Sequence, residues 1–296
     1  MKNYIDIRMG WDRKLMQSSF YKDVIRRLNY GERVTPEEVH KLATLYASTL
    51  SDTLNRNIKP TDLLDGKLPK EVADDVVGPL MGVLHERVND ASYKLQQTVN
   101  RRKGLGINPV NSDYDTSRVN GILNRLVTEP FEDCKWLLVS PVENFALNTI
   151  DTFCQKNLEA TVRAGVPMGL VRKDEFGACK WCRALVGEYS YPAPSNVYRR
   201  HENCRCVTYT VYPKGTKDVW SKTEFEGDTS EQEVQDRIRA LNMERDSMRK
   251  RQRAWRRAQQ EEVDNAKSMK DLIALGKKRG YSNPQGWAYH VWKGRQ

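Results

Sequence analysis

Two things are missing from this 296-residue chain: long apolar runs and the usual catalytic motifs. No stretch approaches the roughly 18 consecutive apolar residues of a membrane helix. The opening MKNYIDIRMGWDRK has no apolar segment of secretory-signal length. The expectation is a chain made and used in a cytosol, with no membrane partner. The phosphate loop G-x-x-x-x-G-K-[ST], the nucleophile elbow G-x-S-x-G and the zinc-protease pattern H-E-x-x-H are all absent. Histidine is scarce, since only His40, His85, His201 and His290 occur, and this leaves few general bases. His40 and His85 fall in helical patterns and read as surface or packing residues. Internal repeats and low-complexity tracts are also lacking.

Positive charge is present in excess. Lys and Arg number 49 against 39 Asp and Glu, for a net charge of +10. Such an excess favours acidic partners, either nucleic acid or an acidic protein surface, without choosing between them. Hydrophobic residues make up 39% and charged residues 30%. That composition suits a real core joined to exposed, solvated helices.

The expected fold class is α+β, mainly α, in four parts. Residues 1–165 read as a helical domain. Trp11, Leu15, Met16, Phe20, Val24, Ile25 and Leu28 form one apolar stripe over Met9–Asn29, which Gly31 ends. Thr35-Pro36-Glu37-Glu38 is a helix start, and that helix runs to about Arg56. Asn57–Leu68 is a connection, Pro69–Arg102 a long helix bent near Gly78-Pro79, and Lys103–Asp115 a loop. Two more helices are expected near Ser117–Leu126 and Pro141–Ala164.

Residues 166–215 form a small, turn-rich, zinc-ribbon-like module with β-favouring runs GEYSY and CVTYTVY. Residues 216–266 are a linker and a long basic helix starting at a Thr229-Ser230-Glu231 capping box. Val234, Leu241, Met248 and Trp255 recur every seven residues there, with Ile238 supporting. This thin seam packs either on a second copy through 234–255 or along the chain's own bundle. Residues 267–296 read as a two-helix tail in which Trp287, Tyr289 and Trp292 alternate with bases. The Trp side chains serve there as a small core or as stacking platforms.

The cysteines carry the densest chemistry. Cys134 and Cys154 stand in apolar surroundings and read as buried thiols. The other four fall in Cys179-Lys-Trp-Cys182 and His201-Glu-Asn-Cys204-Arg-Cys206. A C-x2-C turn lets two thiolates approach one ion. Cys204 and Cys206, two apart on a predicted strand, face the same way. With His201, five candidate ligands compete for four tetrahedral positions. The four cysteines are preferred, with His201 the first substitute, around a closed, structural zinc ion. A disulfide in an oxidised particle and free thiols in a small core are the alternatives.

The segment RKDEFGACKWCRALVGEYSYPAPSNVYRRHENCRC resembles the signature of the phage Mu F-like head-morphogenesis (minor capsid) proteins. The matching residues are Asp174, Cys179, Cys182, Gly187, His201, Cys204, Arg205 and Cys206. Glu202 stands where a proline commonly follows the histidine. The likeness covers about Val166–Val211, near one sixth of the chain. It implies a non-enzymatic virion component inside the head near the portal, present in the host cytoplasm during assembly. Its partners would be the portal and other capsid proteins, and it would act in procapsid assembly and in DNA packaging or delivery.

The second feature is the run Arg245, Arg249, Lys250, Arg251, Arg253, Arg256 and Arg257. Residues 249, 253, 256 and 257 share a helical face that suits phosphates or, equally, carboxylates of an acidic protein. A solvated face is the plain alternative. Two other functions stay open at this point. One is a zinc-containing DNA-binding regulator. The other is a His/Cys metal-dependent nuclease, for which His201-Glu202-Asn203 lacks a second histidine.

Overall fold

The computed structural model describes residues 3–174, 179–201, 203–213, 231–279 and 283–293. The 216–230 linker and the Thr229-Ser230 helix start lie outside the described residues. The chain divides into two units, Met1–Ile238 and Arg239–Gln296. The architecture is α+β and mainly helical, as expected.

The first unit begins with α1 (Tyr4–Gln17) and α2 (Ser19–Asn29). The apolar stripe expected as one helix is thus two. Ser18 adopts an extended backbone (ψ 120°), and its hydroxyl accepts the Tyr21 N–H at 3.2 Å. A serine competes well for the unsatisfied donors of a helix start, so it can end one helix and cap the next without altering the stripe. α2 stops where expected. Gly31 takes φ 66°, the Glu32 N–H reaches the Arg27 carbonyl at 2.9 Å, and the Gly31 N–H reaches that of Leu28 at 3.3 Å. This double closure needs the left-handed backbone that glycine adopts freely.

α3 (Pro36–Asn57) carries the expected capping box. The Thr35 hydroxyl accepts the Glu38 N–H at 3.2 Å, and the Thr35 N–H donates to the Glu38 carboxylate at 2.8 Å. α4 (Lys70–Val72) runs through a π turn, Ala73–Val77, into α5 (Gly78–Arg102). Pro79 has no N–H to offer the preceding turn. The ladder widens there, and the Gly78 N–H bonds the Ala73 carbonyl. α6 (Thr116–Thr128), α7 (Phe131–Cys134) and α8 (Ser140–Arg163) follow.

Helices α1, α3, α5 and α8 pack around one core that includes Trp11, Leu42, Leu50, Leu80, Leu84 and Phe145, all essentially removed from water. Each such side chain contributes about 1.5–3 kcal/mol. Trp11 satisfies its indole N–H on the Tyr46 carbonyl at 3.2 Å and the Thr49 hydroxyl at 3.0 Å. Cys134 and Cys154 are buried, as predicted.

A three-stranded antiparallel sheet, β1 (Gly169–Lys173), β2 (Gly187–Ser190) and β3 (Val207–Val211), lies against this bundle in the order β2-β1-β3. A short helix α9 (Lys180–Ala184) sits between β1 and β2. Arg172 pairs with Thr208 on one side and Gly187 on the other. The strand expected to include Cys204 and Cys206 begins only at Val207, so the two thiols are not carried by a strand. The Arg200 guanidinium takes the Cys204 carbonyl at 3.4 Å and the Cys206 carbonyl at 2.7 Å. Those oxygens bond a side chain instead of a neighbouring strand.

Met168, Leu170 and Val197 belong to the same buried cluster as the helices. Polar bonds reinforce the docking. The Thr210 hydroxyl donates to Gln96 at 2.6 Å, the Tyr212 hydroxyl to Asn100 at 2.8 Å, and the Thr208 N–H to His40 Nε2 at 3.2 Å.

α10 (Glu231–Asn265) is the long basic helix. α11 (Met269–Lys278) and α12 (Pro284–Lys293) are the two expected tail helices. Val263, Leu272 and Ala288 are buried together, with Trp287 and Trp292 packed on them, so these Trp side chains form a small core. A Cβ at Gly276 would stand 3.0 Å from Pro284 and Trp287, which is how closely α11 and α12 approach. No helix among the described residues is long and apolar enough to cross a membrane.

Candidate metal centre

Cys179 precedes α9, and its Sγ accepts the Cys182 N–H at 3.4 Å. That turn sets the first two thiols side by side. The loop from β2 back to β3 then delivers the other donors. His201 Nε2 lies 2.9 Å from Cys182 Sγ and 3.3 Å from Cys179 Sγ. Cys204 Sγ lies 3.6 Å from Cys182 Sγ. Two overlapping groups result, Cys179–Cys182–His201 and Cys182–Cys204–Cys206, each with its donor atoms within 4.8 Å of one another. Cys182 belongs to both.

Two sulfurs on one tetrahedral zinc stand about 3.7 Å apart, given Zn–S bonds of about 2.3 Å. The Cys182–Cys204 separation fits, and the soft donor set suits a thiophilic ion. The described cluster could hold a metal ion. All six cysteines are free thiols.

The surroundings of the sulfurs are polar and buried. Cys182, Cys204 and Cys206 are buried, whereas Cys179 is exposed. Arg172 Nη2 donates to Cys204 Sγ at 3.6 Å, and Arg200 Nη1 stands 4.0 Å from the same atom. Arg172 also donates to the carbonyls of Val197 and, at 2.9 Å, Arg199. Arg200 forms a two-pronged pair with Asp151, at 2.5 and 2.9 Å, and the Thr208 hydroxyl donates to the same carboxylate.

A hydrogen bond from Cys206, helped by the Arg200 charge, brings the Cys204 thiol down to about 4. Its partner Cys206 is pushed up by the same shared proton. The Cys182 N–H lowers Cys179, while burial raises Cys182. A metal ion would replace the protons these sulfurs now share.

No family model, curated protein or solved structure matches this chain.

The five predicted ligands, Cys179, Cys182, His201, Cys204 and Cys206, are brought together although 27 positions separate the first from the last. Of the other signature residues, Gly187 opens β2 opposite Arg172, and Asp174 follows β1. Arg205 reaches Glu143 on α8 at 3.5 Å. Arg172, Arg200 and Asp151 were not singled out from the sequence. Arg200 adjoins His201, but nothing local marks Asp151, which lies 49 residues away in a helix.

Two histidines outside the cluster, His40 and His85, are held by hydrogen bonds. His40 is buried, with Nδ1 3.0 Å from the Pro36 carbonyl and Nε2 accepting from Thr208. Burial, then the Arg200 charge, holds it down to about 4. His85 Nε2 lies 3.1 Å from the Asp113 carbonyl. A cavity of about 40 Å³ beside His40, Cys154 and Thr208 has room for little more than water.

The predicted basic residues Arg245, Arg249, Lys250, Arg251, Arg253, Arg256 and Arg257 all lie on α10. Lys250, Arg251 and Arg257 are exposed. The side chains of the other four, and those of the seam Val234, Ile238, Leu241, Met248 and Trp255, lie outside the described residues.

Proposed function

We propose that this chain is a minor capsid, head-morphogenesis protein of a tailed bacteriophage, and that its cysteine cluster holds a structural zinc ion. The carrying observation is that the signature's Cys179, Cys182, His201, Cys204 and Cys206 fall into two donor groups joined at Cys182. Five protein donors for four positions leave no coordination site for a substrate, which is the arrangement of a brace. Arg205, also of the signature, ties the cluster's loop to Glu143 of the bundle. The protein acts beside the portal during procapsid assembly and has no bond-breaking role. Its α10 bases meet acidic portal surface or DNA in a sequence-blind, salt-sensitive contact.

Mass spectrometry of purified particles should find this polypeptide, and its deletion should stop normal procapsid formation. Particles that lack it and assemble normally without it would overturn the reading. Elemental analysis of the purified chain should find about one zinc per polypeptide, lost in Cys182→Ser, the variant of the donor common to both groups.

A further inference from the structure

Arg172 is the penultimate residue of the central strand and is 0% exposed. A guanidinium keeps its proton under all ordinary conditions. A buried charge of this kind persists only beside an opposite charge. The neighbouring Arg200 has one, the Asp151 carboxylate. Arg172 reaches two backbone carbonyls, Cys204 Sγ and, at 5.6 Å, the face of the Trp181 ring, and among the described residues no carboxylate forms an ion pair with it. The described group that can set a full negative charge against it is the sulfur cluster.

Counting charge then limits the ligands. Without an ion, the cluster offers Arg172 only the Cys204 thiolate, which shares a proton with Cys206. A divalent ion with two thiolates is neutral as a unit and offers nothing. Three thiolates leave one net negative charge, and four leave two.

We propose that Arg172 is the built-in counter-cation of a net-negative metal centre held by at least three thiolates, those of Cys182, Cys204 and Cys206. The inference rests on the metal reading of the cluster and adds its charge and ligand class. Three observations support this set. These three sulfurs are the buried ones. The Arg172 hydrogen bond lands on one of them. Cys179 and His201, one of which completes the tetrahedron, share a donor group with Cys182 but not with Cys204 and Cys206. Arg172 acts here as a positioning residue, since it contacts a ligand sulfur and would not touch the ion.

The test loads the full chain with Co(II) and reads the thiolate-to-cobalt charge-transfer band. Its intensity should correspond to three or four thiolates, and two or fewer would overturn the proposal without any variant. Arg172→Met and Arg172→Lys are then titrated with Co(II) against a competing chelator. The Met variant should bind roughly ten- to a hundredfold more weakly, and the Lys variant should recover most of that loss. Equal weakening in both variants would assign Arg172 a packing role, and undiminished binding in Arg172→Met would remove it from the centre. Either result overturns the proposal while leaving the metal reading in place. If the wild-type chain bound neither Co(II) nor Zn(II), the metal reading itself would fall, and the inference with it.

Discussion

The interior between α3, α5 and α8 is made of Leu42, Leu50, Leu80, Leu84 and Phe145, side chains that need nothing from their neighbours but shape. A short way along the same helices, where β1 and β3 lie down, the interior is made of Arg172, Arg200, Asp151, Thr208 and His40. Both regions are equally shut off from water. The first is held by area removed from solvent, the second by named partners at fixed distances. The apolar region should therefore tolerate volume-conserving exchange. The polar region should fail whenever one partner is taken away.

The largest effect should come from breaking the polar region at its only described carboxylate. Asp151→Ala strands the buried Arg200 charge and should cost about 3–5 kcal/mol, read from urea unfolding. A loss below about 1 kcal/mol, the value of an exposed pair, would mean that water reaches this interior and that the contrast with the bundle is false.

Acid should act next, through His40. Its folded value of about 4 lies below its ordinary 6.5, so the unfolded chain binds the proton more readily between the two. Stability from this group is complete above about pH 6.5 and falls as pH drops toward 4, by roughly 3 kcal/mol in all. Unfolding midpoints measured across that window should show a slope that His40→Gln reduces. An unchanged slope would remove His40 from the account.

The smallest effect belongs to the helical region, where local sequence already determines the ends of elements. Thr35→Ala removes one half of the capping box and should cost about 1 kcal/mol. A loss comparable to that of Asp151→Ala would show that the two regions do not differ as described.

These differences follow how far apart the interacting residues are. Thr35 and Glu38 are three positions apart, and Gly31 directly follows the last turn it closes, so the end of α2 and the start of α3 were readable in the chain. The break at Ser18 was less so, because a serine inside an unbroken apolar stripe carries no strong signal. The five cluster donors were readable because cysteine is rare elsewhere and their spacing is short. Their support was not. Strand β1, GLVRK, has neither a clear alternation nor enough length to announce itself, yet it is the strand on which Arg172 sits.

The end of α2, the start of α3, the mainly helical class and the company of Cys179, Cys182, His201, Cys204 and Cys206 were determined by the amino-acid order alone, because each depends on residues a few positions apart or on a rare side chain. The tertiary structure decided what surrounds the sulfurs. It brought Asp151 to Arg200 across 49 residues and His40 to the Thr208 amide across 168. Such pairings leave no periodic trace, because their strength comes from low-dielectric burial that exists only once helices and sheet have met.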